Sequence, residues 1–92
     1  MAPDEVRRWS EVGPQWVELC SKFLEANKEF RAATAAAKAG IPGAREAAVR
    51  WAMRVRETEA DCVYFMRHRV PRPNGRAEPP PRVADLARTE PT

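Results

Sequence analysis

Cys20, Cys62, Tyr64 and His68 are the side chains of this 92-residue chain best suited to nucleophilic or acid–base work near neutral pH. Tyr64 and His68 stand four apart, so on a helix the phenol and imidazole would touch, with Arg67 and Arg69 alongside. No glycine-rich phosphate loop and no base poised beside a thiol accompanies them. Arg and His in a last helical turn are explained more simply by the negative end of the helix dipole. The reading is therefore of a protein that is not an enzyme, with no cofactor and no small-molecule substrate. Metal binding is not expected either, because the chain has no Cys-x-x-Cys and its single histidine lies more than a turn beyond Cys62.

The elements that must position these residues are helical. Pro3-Asp4-Glu5 suits a first turn, Val6 and Trp9 lie three apart, and Gly13-Pro14 is read as a stop, giving a short N-terminal helix over 1–13. Pro14 then opens a second helix to about Ala39. Its stripe, Trp16, Leu19, Phe23, Ala26, Phe30, Ala33 and Ala37, advances in steps of three and four. Glu18 and Lys22 fall on the exposed side. Gly40-Ile41-Pro42-Gly43 breaks the pattern, with Gly40 suited to a left-handed cap. A third helix, from about Ala44 to Arg69, carries Ala44, Ala48, Trp51, Val55, Thr58, Cys62 and Phe65. Two periodic segments joined by four residues make an antiparallel hairpin over 14–70, turning at 40–43. The fold class is all-α, a coiled-coil-like helical hairpin.

In such a hairpin, facing residues have numbers that sum to about 83, by the symmetry of the turn. This sets Trp16 opposite Met66, Leu19 opposite Tyr64 or Phe65, Phe30 opposite Trp51 or Ala52, and Cys20 near Cys62. The thiols are expected to be reduced fillers of the seam, with a disulfide as the alternative. Val49, Met53, Ala60 and Tyr64 fall on the far side of the third helix, and Val17 and Leu24 lie off the stripe of the second. This leftover apolar face is the expected partner-binding site. A small hairpin gains from association, so a homodimeric four-helix bundle is the expected architecture.

Residues 1–66 are electrically neutral and the whole excess of the +3 net charge lies beyond them. Arg67, Arg69, Arg72 and Arg76 are the candidate nucleic-acid contacts, on an arm that would track phosphates. Residues 71–92 hold most of the nine prolines and are read as an extended, flexible tail, in which Val83, Leu86 and Ala87 could form one turn of helix on a partner. Thirteen arginines against three lysines suit a GC-rich bacterial or phage origin. With no apolar stretch suited to a signal peptide or membrane span, a cytoplasmic location is expected. The leading function is a protein-interaction module: an adaptor, an inhibitor or a regulatory subunit. A small DNA- or RNA-binding regulator and a structural assembly protein are the alternatives.

Overall fold

A computed structural model describes residues 3–73 and 78–86, with side chains described from Ser10 onward. Helix α1 spans Pro3–Lys38, α2 spans Ala44–His68, and a single turn, α3, spans Val83–Leu86. The two long helices pack against each other as an antiparallel pair, and the described residues form no strand. The hairpin expected from the apolar periodicity is present.

The turn between the arms is closed by backbone bonds. Gly40 adopts φ 78° and donates to the Ala37 carbonyl at 3.1 Å, while the Ile41 N–H reaches Ala36 at 3.0 Å. This pair of bonds is a Schellman motif, and it satisfies carbonyls that the end of α1 would otherwise leave open. Gly43 also takes a left-handed φ, 79°, before α2 begins. At the other end of α2 the left-handed position falls to Arg69, φ 59°, whose N–H donates to Phe65 at 2.7 Å.

The start of the chain differs from expectation. Instead of a short helix ending at Gly13-Pro14, α1 runs unbroken through both residues. Proline lacks the N–H that would bond one turn back, but its φ is helical, so the helix forfeits one donor without having to stop. At the observed register, residues 3–12 extend about 15 Å beyond the end of α2. The side chains of Val6 and Trp9, expected to dock on the hairpin, lie outside the described residues.

The seam follows the expected register to within two residues. Trp16 stacks on Phe65 with ring centres 6.0 Å apart, Phe30 joins the cluster around Trp51, and Cys20 meets Cys62. The facing numbers therefore sum to 81 or 82, and Trp16 packs on Phe65 rather than on Met66 directly. Near the turn the buried core is Ala26, Ala33 and Ala47 around Trp51, which is 2% exposed. Alanines on both arms let the helices approach closely, and Trp51 is the large, fully buried side chain that fills the gap, with Phe30 at its edge. Thr58, also buried, spends its hydroxyl on the carbonyls of Arg54 and Val55 within its own helix.

Residues 78–86 also differ from expectation. They do not extend away from the hairpin but lie along it. Val83 and Leu86 pack on the Trp51 cluster, and the Trp51 indole N–H donates to the Pro81 carbonyl at 3.1 Å. The Val83 N–H donates to Glu29 at 3.0 Å, and Arg82 pairs with Glu25 at 3.2 Å. The helical turn foreseen for Val83 and Leu86 thus forms on the chain's own hairpin. Ala87 lies outside the described residues.

Candidate interaction surface

The docked tail makes the two sides of the hairpin unequal. Counting about 100° per residue from Ala26, Glu18, Glu25 and Glu29 fall on one flank of α1, while Cys20 and Leu24 fall on the other. The tail uses the first flank. Pro71, Arg72 and Pro73 border a cleft of about 400 Å³ with Gln15, Glu18, Leu19 and Lys22. Farther along, residues 81–86 reach Glu25, Glu29 and the turn, where Leu86 lies 3.6 Å from the place a Gly43 Cβ would occupy.

The second flank holds an open apolar groove of about 360 Å³. Its lining is Trp16, Cys20, Phe23 and Leu24 from α1 with Glu59, Cys62 and Val63 from α2, and no described tail residue takes part. Leu24 is 66% exposed, and Val17, one helical repeat earlier, is also exposed. Across α2 from this groove lie two of the expected partner-binding residues, Val49 and the 65%-exposed Met53. The other two, Ala60 and Tyr64, are half-buried and line a shallow shelf of about 530 Å³ that shares Glu59 and Val63 with the groove. The apolar surface is therefore wider than the four residues singled out from the spacing. Leu24, Val17 and Val63 belong to it, and the off-stripe position of Val17 and Leu24 was the signal for two of them.

Tyr64 and His68 do touch, but ring against ring, with centres 4.2 Å apart and planes tilted by 38°. Stacked i,i+4 rings are a packing contact at a helix end and supply no proton-transfer geometry.

The four candidate nucleic-acid arginines do not stay together as an arm. Arg67 and Arg69 are exposed, and Arg69 also forms the cap of α2. Arg72 turns back to Asp61, its Nε 2.7 Å from Oδ1. The contact is off the line a hydrogen bond needs, and among the described residues neither atom has another hydrogen-bond partner. Arg76 lies outside the described residues. Asp61, which the sequence presents as one more acid after Glu57 and Glu59, is 7% exposed and depends on Arg72 for its compensating charge. Arg72→Ala is accordingly expected to destabilise the fold by about 1–2 kcal/mol, below the full cost of breaking a buried pair because the arginine itself is one-third exposed. In Asp61→Asn the same change should cost much less, and a urea-denaturation double-mutant cycle measures the difference.

Among the described residues no three metal-ligating side chains come together, and no helix is long and apolar enough to cross a membrane. The two cysteines are free thiols. Burial first, then Cys20 and Asp61 beside it, push the Cys62 thiol above its ordinary range. What the arrangement offers chemically is a broad apolar face on a two-helix hairpin, with oxidisable thiols at its floor. Compared with known proteins, the chain matches no family model, no curated protein and no solved structure.

Proposed function

We propose that this chain is a non-enzymatic protein-interaction module, an adaptor, inhibitor or regulatory subunit of a bacterial or phage cytoplasm, which docks an apolar helix of its partner on the tail-free side of the hairpin. The observation that carries this reading is the exposure of Val17, Leu24, Val49, Met53 and Val63 on surfaces that no other described element covers. Water against that much apolar side chain is unfavourable by about 25 cal/mol per Å², and a helix laid in the groove removes it. A second copy of the chain can supply that helix, which gives a homodimeric four-helix bundle, and a foreign partner would compete for the same place.

Met53→Glu and Leu24→Glu are the tests, since both side chains are about two-thirds exposed and neither contributes to the seam. Each variant should weaken self-association or partner binding at least tenfold in sedimentation equilibrium, while far-UV circular dichroism stays unchanged. Loss of helix in either variant would make that face core and end the proposal.

The nucleic-acid reading ranks second because Arg72, one of its four arginines, is already neutralised by Asp61. Arg67 and Arg69 alone make a weak electrostatic footprint.

A further inference from the structure

Cys20 on α1 and Cys62 on α2 are 42 positions apart in sequence yet line the same groove across the seam, near enough for Cys20 to help push the Cys62 thiol up. A single buried cysteine is ordinary core filling. This pair is different in three respects. Each sulfur has the other as its neighbour, both residues are half-buried rather than sealed, and both line the open groove with Trp16, Phe23, Leu24 and Val63. A small oxidant can enter there. The groove floor lies between two helices already held in register by the Trp16–Phe65 stack on one side and the Trp51 cluster on the other. Little chain entropy remains to be lost when the sulfurs join.

The geometry points to a reversible oxidation site: Cys20 and Cys62 form an internal disulfide that staples the two arms together, with a low-molecular-weight disulfide as the oxidant. The thiolate of Cys20 attacks one sulfur of the oxidant, RSSR, and expels the first RS⁻, leaving a mixed disulfide on Cys20. Cys62 then gives its proton to solvent and attacks the Cys20 sulfur, expelling the second RS⁻. The two thiol protons end on the two released thiols. The protein loses two electrons and two protons, and one RSSR becomes two RSH. Cys62 is assigned as the resolving thiol because burial, with Cys20, Asp61 and Glu59 beside it, pushes its thiol above the ordinary range. In a reducing compartment such a bond forms transiently, as a response to oxidants, and thiols restore the open form.

The test equilibrates the full chain with buffers of reduced and oxidised glutathione, in native conditions and in urea, followed by acid quenching and intact-mass measurement. The expected product is a monomer lighter by two hydrogens with no glutathione attached. Its formation constant in native buffer should exceed that in urea at least a hundredfold, because the fold presents the two sulfurs to each other. The oxidised chain should melt higher by roughly 10 °C or more, since the bridge closes a long loop in the unfolded chain. Cys62→Ser should stop at one glutathione on Cys20. Equal constants in native buffer and urea, stable glutathione on both cysteines of the parent chain, or chains linked to one another in place of the internal bridge would each overturn the inference.

Discussion

Trp51→Ala should remove about 3–5 kcal/mol of stability, the range for emptying a large aromatic site in a core. For a chain this small that is most or all of what holds it folded. The size of the effect follows from the neighbours. Trp51 is surrounded by Ala26, Ala33 and Ala47, with Phe30, Ala48, Val55, Val83 and Leu86 at the edge. Alanines have no reach with which to refill the space, so the cavity persists unless the helices themselves move together. Trp51→Phe is the informative companion. It keeps most of the aromatic volume but loses the bond from the indole nitrogen to Pro81, and should cost about 1–2 kcal/mol. Urea denaturation followed by circular dichroism reads both. A Trp51→Ala chain as stable as the parent would mean that the alanine-lined end of the hairpin does not form the core described here.

That Trp51 lies on the seam was legible in the sequence, and so was most of the seam; that it is the centre of the core was not. The turn is written in Gly40 and Gly43, two residues that the backbone needs at positive φ. Once the turn is placed, antiparallel symmetry sets what faces what to within one or two residues: Phe30 near Trp51 or Ala52 and Cys20 near Cys62 follow, while Trp16 meets Phe65 instead of Met66. The misreadings share a physical cause. At Gly13-Pro14 the sequence carries a stop signal, but proline removes only one bond from the ladder and the residues on both sides favour helix, so α1 continues. For residues 78–82, the run Pro79–Pro81 excludes helix and strand and says nothing about where the segment lies. The pair Val83 and Leu86 was visible as one apolar turn, but a local pattern does not name the surface that receives it. That surface is the Trp51 cluster, built from residues 30 to 60 positions away. Asp61 was missed for the same reason. The acids before it in sequence, Glu57 and Glu59, are half-buried and exposed respectively, and the returning chain brings Arg72 onto Asp61.

Ending the chain after Pro73 isolates what the docked segment contributes, and it should lower stability by about 2–3 kcal/mol while making the shortened chain more prone to associate. On the favourable side of docking stand the partial burial of Val83 and Leu86, the Trp51–Pro81 bond and the charged acceptor Glu29 on the Val83 N–H. Arg82 with Glu25 adds little, because both side chains are largely exposed. Against them stands the ordering of the segment, about 1 kcal/mol per residue for a free chain. Pro79, Pro80 and Pro81 reduce that cost, since their φ angles are already fixed before docking. The prolines that exclude helix and strand at 79–81 thus lower the entropy cost of docking the segment that carries α3. Truncation would bare a second apolar groove beside Trp51, opposite the one that holds Cys20 and Cys62, so the shortened hairpin should sediment as a larger species than the parent. Leu86→Asp in the full chain should reproduce most of the stability loss with the length unchanged, separating the contact from any effect of the residues beyond it. If both chains match the parent in urea midpoint and in sedimentation, residues 78–86 do not hold Trp51 in solution, and the asymmetry between the two grooves disappears with them.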